Sequence, residues 1–501
     1  MQGFKINQNN KYHIAIISFL AAFLTYLLVY GFELTHFSLS IDEEFNNNIM
    51  HTIDLGRWGH ALLKATIYPE PFIPYYTEIL SFILLSASCA VIVRTFTLNL
   101  NESVFFSILY ASSVQFAYQL QFLNQSDTVA TAILMSSIAV YLIIYKRSVV
   151  QSIIIPALLL GYIASIYQSI IFFSLSMLIA YFLIEIVRGD DTSKHFKLLT
   201  KLFIASLFGV VVYFLIGKLV QNYFHLHSES IFTNDANWIA ESPKFALKKI
   251  GRSIEHYFLF KASYGLNTFL LAFLFLILPF FYPLQHKLRY GLSALASILA
   301  LFSINIVLGS DLPTRTMTSF AVFFASAGIV GFITLRRNKY FWSVALFSFL
   351  YGMSAVSNLF YLDYTAYNKD YRIATLIAQD MATDLNISLE KPMKVYFFGP
   401  LEIKEVNKPK YTYMFGSSFF NWDGGNSGRI SAFMNKTEIA NIIPAKYEDI
   451  KPGLKAVYAA PVWPKKGSIL RISDVIVIKL GQSVGYCPTG VKKGSNPKEC
   501  L

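Results

Sequence analysis

Asp42, Glu43 and Glu44 follow one another about ten residues past the end of an apolar run. Three consecutive carboxylates so close to a membrane surface have a limited repertoire. Adjacent side chains diverge on any regular backbone, so at most two can converge on one point. A carboxylate partly withdrawn from water has its pKa raised toward neutrality and suits general-base work. The same residues also suit a solvated acidic turn that caps a following helix, since Asp is a good N-cap and Glu favours a first turn. Their spacing leaves both readings open.

Further along stand Gly56, Arg57, Trp58, Gly59 and His60. Within 52–68, Ile53, Leu55, Trp58, Leu62, Ala65 and Ile67 fall near helical spacing, with Arg57 and Lys64 on the other side. This pattern predicts a helix lying in the membrane interface. Trp58 fits an aromatic belt, and Arg57 is suited to a lipid phosphate, either of a substrate or of an ordinary headgroup. The segment Gly309-Ser310-Asp311-Leu312-Pro313-Thr314-Arg315 joins two apolar runs. Arg315 there suits a phosphate or pyrophosphate, or a salt bridge to Asp311. In 221–263, His225, His227 and Glu229 resemble a metal triplet, but no further ligand is fixed by spacing, so no metal is expected. Lys248, Lys249, Arg252 and Lys261 read as headgroup or substrate-phosphate contacts. Cys487 and Cys500 are close enough to pair in an oxidising compartment, a loop worth about 3 kcal/mol; the alternative is two thiols. Cys89 reads as a packing residue. Walker A, GxGxxG, GxSxG and HExxH patterns are missing, so ATP-driven and NAD-dependent chemistry have no support.

The elements that must position these residues are apolar helices. Of 501 residues, 54 % are hydrophobic, 16 % aromatic and only 14 % charged. Soluble domains carry about a quarter charged residues. Apolar runs lie at roughly 14–32, 73–93, 103–120, 128–145, 149–166, 169–187, 200–220, 264–284, 291–309, 317–335 and 340–360. Runs of about 20 residues match a hydrocarbon core of about 30 Å and must be helical there. The expectation is a polytopic α-helical membrane protein with about 11 transmembrane helices. The first run reads as a retained anchor, being too long for a signal-peptide core.

The formal charge of +12 is carried largely by short segments between runs. With the N-terminus inside, the inner segments hold Lys5 and Lys11, Arg94, Lys146 and Arg147, Arg188 with Lys194 and Lys197, Lys287 and Arg289, and Arg336 with Arg337 and Lys339. That is the positive-inside pattern, and Arg315 is the one basic residue of the short outer loops. No basic stripe with interleaved aromatics suits nucleic acid. Charge within the runs is confined to segment ends, as at Glu78 and Glu185, which argues against a proton-coupled transporter. A membrane module, 1–360, then presents outer loops 33–72 and 221–263. A soluble α/β or mostly β domain, 361–501, follows on the outer face, with strand-like runs at 394–398, 455–459 and 469–478.

An inward N-terminus, an acidic motif in the first outer loop, Gly-Arg-Trp after it and an outer C-terminal domain resemble the GT-C class of polyprenyl-phosphate-sugar glycosyltransferases. Within that class the chain resembles the phage-encoded, serotype-converting O-antigen glucosyltransferases (Gtr type). The resemblance covers the whole architecture, and its most specific pieces are Asp42-Glu43-Glu44 and Gly56-Arg57-Trp58. It implies a multi-pass protein of the bacterial inner membrane with a periplasmic C-terminal domain. The implied donor is undecaprenyl-phosphate glucose, and the implied acceptor is a sugar hydroxyl of lipid-linked O-antigen, with inversion at the anomeric carbon. Asp42 is then the first choice for the base, with Glu43 or Glu44 as alternates. Arg57 and Arg315 become phosphate clamps, with Trp58, Asp311 and Lys261 as further substrate contacts. Some members of the wider class use a divalent cation, which the histidines here do not demand. Expected partners are membrane lipids, a small flippase and a polyprenyl-phosphate glucose synthase. Transfer of another sugar or polymerisation of O-antigen is the alternative within the class, and lipid or polysaccharide transport the alternative outside it.

Overall fold

A computed structural model describes residues 8–190, 192–226, 237–240, 242–259, 261–335, 339–403 and 408–483. The chain divides into two compact units: Met1–Thr35 with Asn47–Asn358, and His36–Asn46 with Leu359–Leu501.

The first unit is helical. Among the described residues, six helices are long and apolar enough to cross a membrane: Tyr12–Thr35, Pro74–Thr95, Leu123–Tyr145, Gln168–Arg188, His195–Tyr223 and Lys339–Leu385, the last continuing into the second unit. Shorter apolar helices cover Val150–Ile166, Leu266–Phe281 and Phe320–Thr334. Along His195–Tyr223, Phe203 and Leu219 are 67 % and 69 % exposed. A water-soluble fold does not present such a stripe; lipid covers it. The chain is therefore a polytopic helical membrane protein.

Two of the expected runs are not single helices. The run 103–120 becomes a helix Leu100–Ala111, a break at Ser112-Ser113, and short turns Val114–Phe116 and Ala117–Leu120. Ser113 is extended (φ −67°, ψ 118°), which ends the helical ladder. The run 291–309 splits at Phe302 into Lys287–Leu301 and Ser303–Leu308. In contrast, the polar stretch before 128 is absorbed into the helix Leu123–Tyr145. At Tyr167 the chain is extended (φ −155°, ψ 108°), which separates the runs on either side.

The interfacial segment is two helices, Ile49–Asp54 and Trp58–Thr66, separated by Gly56 at φ +75°. Lys64 does not lie on a wet face as its sequence position suggests. Its side chain is fully buried, 2.9 Å from Asp127, and also donates to the carbonyls of Pro69 and Pro71. A buried ammonium is tolerable only when its donors are satisfied, and this one has three acceptors.

The second unit contains a four-stranded sheet of β1 (Met393–Phe398), β2 (Ile442–Pro444), β3 (Ile469–Ile472) and β4 (Val475–Lys479), in the order β2-β1-β4-β3. β1 is parallel to both β2 and β4, and β3 is antiparallel to β4. The run 469–478 is thus a hairpin rather than one strand, turning at Ser473 (φ +54°). The run 455–459 is helical instead, within Leu454–Ala459. A five-residue apolar run does not distinguish strand from helix by periodicity. Here only Val457 needs burial, packing under the sheet beside Val475 and Val477. Pro444 occupies an edge strand, the place where a missing N–H costs no ladder bond.

Candidate active site

The acidic cluster belongs to the second unit, and the later part of the helix Trp342–Leu385 is its scaffold. Asp363 and Asp370 are seven residues apart, two turns along one face. Asp363 accepts from Ser40 Oγ at 3.1 Å and from the Gly416 amide at 2.6 Å. Asp370 accepts from Ser418 Oγ at 2.6 Å and from the Phe419 amide at 2.7 Å. Rings reinforce these ties: His36 on Tyr364, Phe37 on Tyr367, Tyr367 on Phe433, and Phe419 stacked on Phe433 at 4.5 Å. One helical face therefore fixes both the 36–46 segment and the 412–433 segment.

Within the first of these, Leu39 and Ile41 are buried and pin the backbone. Asp42 is held at φ +80°, a left-handed conformation costly for a non-glycine residue. Glu43 is fully buried; its carboxylate accepts from the Ser40 amide at 2.9 Å while its own amide donates to the Ser40 carbonyl. Its role is to close this turn. Asp42 and Glu44 project to one point, as only two of three adjacent side chains can.

That point is Arg429, a residue without any sequence motif to mark it. It lies in the first turn of the helix Ser427–Lys436, whose N-cap Asn426 accepts from the Gly428 and Arg429 amides. The turn before it needs Asp423, Gly424 and Gly425 all in left-handed conformations, at φ 49°, 70° and 74°. The guanidinium donates from Nη2 to Asp42 Oδ1 at 2.9 Å, from Nη1 to Glu44 Oε1, and from Nε to Asp423 Oδ2 at 2.9 Å. Three carboxylates thus share one cation. The Asp42 and Asp423 side chains are 36 % and 38 % exposed, whereas Glu44 is buried. Glu44 Oε2 has no hydrogen-bond partner. Burial pushes the Glu44 carboxyl above its ordinary range, against the pull of Arg429. Asp42 is accordingly the member of the original triplet that a solute can reach.

The remaining expected residues belong to the first unit. Arg57 stands at the N-cap of Trp58–Thr66 with its guanidinium 4.7 Å from the centre of the Tyr167 ring. Trp58 packs edge-on to Tyr162 and donates to the Tyr213 carbonyl at 3.4 Å. Arg315 lies in the turn Thr314–Thr316, 4.7 Å from the centre of the Phe122 ring. Asp311 accepts a hydrogen bond from Ser253 and lines the same cavity as Lys261. His225 has φ +55°, and His227 and Glu229 lie outside the described residues, as do Cys487 and Cys500. Among the described residues, no group of three or more His, Cys, Asp and Glu side chains could hold a metal ion.

No curated protein matches the chain. The family model of Glucosyl transferase GtrII matches residues 31–332, more than half of the sequence. The matched stretch runs through the acidic triplet, Arg57, Lys261, Asp311 and Arg315, and ends before Arg429. This chain belongs to the GtrII glucosyl transferase family.

Proposed function

We propose that the protein transfers glucose from undecaprenyl-phosphate glucose to a sugar hydroxyl of lipid-linked O-antigen, on the periplasmic face of the bacterial inner membrane and with inversion, with Asp42 as the base. The observation that supports this reading is the partly exposed Asp42 carboxylate, fixed in a left-handed turn and hydrogen-bonded to Arg429. The acceptor hydroxyl gives its proton to Asp42 as its oxygen bonds to the anomeric carbon of glucose. The bond between that carbon and the phosphate oxygen breaks, and its electron pair leaves with the polyprenyl phosphate.

Glu44 and Asp423 share the guanidinium with Asp42, so three carboxylates surround one cation. The donor phosphate is the role proposed for Arg57 and Arg315, whose planar guanidinium groups suit it. The first apolar helix enters from the cytoplasm in this reading, which follows from the basic inner segments.

The test is Asp42→Asn, which keeps the size of the side chain and its hydrogen bond to Arg429 but loses the base. Glucosylation of O-antigen is expected to fall at least about a hundredfold, the scale of a general base, while the protein inserts and elutes as wild type does. Full activity in Asp42→Asn together with loss in Glu44→Gln would move the base to Glu44.

A further inference from the structure

The first unit contains an open groove of about 690 Å³, a volume in the range of small-molecule sites. Three elements wall it. The helix Tyr12–Thr35 contributes Thr25, and the helix Leu100–Ala111 contributes Ile108. The start of the helix Lys339–Leu385 contributes Trp342, Ala345, Leu346 and Phe349. Thr25 and Ser343 ask for no polar ligand, since their hydroxyls donate to the Ala21 and Tyr340 carbonyls, each at 2.7 Å. The wall between them is apolar. Lys339 and Tyr340, both exposed, stand where the last helix begins.

Fluid hydrocarbon is enough to cover a flat apolar stripe such as that on His195–Tyr223. A groove between helices holds one chain in place, and the charge at its mouth decides which lipid supplies that chain. From Trp342 to Phe349 the helix rises about 10 Å, against about 15 Å for half of a hydrocarbon core. The groove therefore runs along much of one leaflet, which suits an acyl chain. Trp342 packs edge-on to Phe105 and Phe332, with ring centroids 5.6 Å and 6.3 Å away, and is fixed as part of the wall. Trp and Tyr at the end of a spanning helix mark the headgroup level. Lys339 stands at that level, with Nζ 5.4 Å from the centre of the Tyr340 ring. Among the described residues no carboxylate forms a salt bridge with it. A lysine so placed reaches lipid phosphate on its flexible stem. A lipid of net negative charge gains from it; a zwitterionic one brings its own cation to the same place and gains less.

We infer that this groove binds an anionic glycerophospholipid, of the phosphatidylglycerol type, from the leaflet at the Lys339 end. Lys339 meets the phosphate, and Ile108, Leu346 and Phe349 line one acyl chain. In the orientation proposed above this is the cytoplasmic leaflet, whereas the donor is consumed on the periplasmic face, so the bound lipid is not the donor. The inference is independent of which sugar the protein transfers.

The experiment places the full-length protein in phosphatidylcholine vesicles that contain either brominated phosphatidylglycerol or brominated phosphatidylcholine at the same mole fraction. Bromine on an acyl chain quenches a tryptophan in contact with it, and Trp342 is one of five tryptophans in the protein. Brominated phosphatidylglycerol is expected to quench more strongly than brominated phosphatidylcholine, and Trp342→Phe is expected to abolish the difference. Lys339→Gln is expected to cut the preference about fivefold, the effect of one basic residue beside an anionic surface. Its side chain is exposed, so this variant decides the matter alone if Trp342→Phe does not fold. Equal quenching by the two lipids in wild-type protein would mean ordinary boundary lipid and would overturn the inference. So would a preference that survives Lys339→Gln, or extra quenching that persists in Trp342→Phe. Relief of the quenching by undecaprenyl phosphate, but not by unbrominated phosphatidylglycerol, would give the groove to the polyprenyl carrier instead.

Discussion

Arg429 stands where a helix is least hospitable to a cation, in a first turn whose free N–H groups carry partial positive charge. Asp42, Glu44 and Asp423 make the position tenable, and the dependence runs both ways. Glu44 is buried, with one oxygen on Arg429 and the other bare, and desolvation raises its pKa above the ordinary 4.5. The sign of the consequence follows from proton binding. The folded state holds the Glu44 proton more tightly than the unfolded chain does. The stability this contributes is complete below the unfolded value and is lost as pH rises through the folded one. Glu44→Gln removes the titration. Thermal unfolding of the detergent-solubilised protein, followed from pH 4.5 upward, is expected to fall less steeply in Glu44→Gln than in wild type just above that pH. An identical slope in the two proteins would mean that Glu44 ionises as it does in water.

Among the elements, the pair of short helices Ile49–Asp54 and Trp58–Thr66 was only half legible. Its apolar spacing can be read from residue types, whereas the break at Gly56, at φ +75°, interrupts what reads as a single helix within 52–68. The burial of Lys64 cannot, because its partner Asp127 is distant in sequence and looks like a loop residue ahead of an apolar run. A buried ion pair is costly to break and cheap to replace whole: losing one partner costs about 3–5 kcal/mol, while an apolar pair of similar volume is often neutral or better. Lys64→Met is therefore expected to destabilise the protein strongly, and so is Asp127→Leu. The double variant is expected to recover most of the loss, short of what the carbonyls of Pro69 and Pro71 forfeit. A double-mutant cycle in unfolding temperature measures this, and additive effects would refute a coupled pair. The acidic triplet shows the same division between local and distant information. Its placement after the first apolar run is plain in the sequence. Arg429 is not, since Gly424-Gly425-Asn426 announces a turn and a helix cap but nothing about what the arginine will meet.

At the scale of the molecule, the second unit is assembled from two pieces of chain separated by the whole of Asn47–Asn358. Hydropathy finds the apolar runs and the polar tail, because each is a property of neighbouring residues. It does not find that His36–Asn46 packs with the tail, which is a property of the fold. The consequence is physical. Leu39 and Ile41 are buried, Ser40 bonds to Asp363, and Asp42 and Glu44 carry two of the three acceptors on Arg429. A fragment beginning at Leu359 keeps the sheet and its core of Tyr396, Phe398, Val475 and Val477. It loses two of the three carboxylates on Arg429, keeping Asp423, and the rings that cover Tyr364 and Tyr367. Leaving a charge without its buried partner typically costs about 3–5 kcal/mol, against about 5–15 kcal/mol for a whole domain. Residues 359–501 expressed alone are expected to be marginally stable, and the same fragment with 36–46 joined through a flexible linker is expected to melt several degrees higher. Replacing Asp42 and Glu44 by Ala in the linked fragment should remove a large part of the gain. Equal melting temperatures for the bare and linked fragments would show that the acidic segment adds nothing to the unit's stability, and would leave its conformation to be explained by function alone.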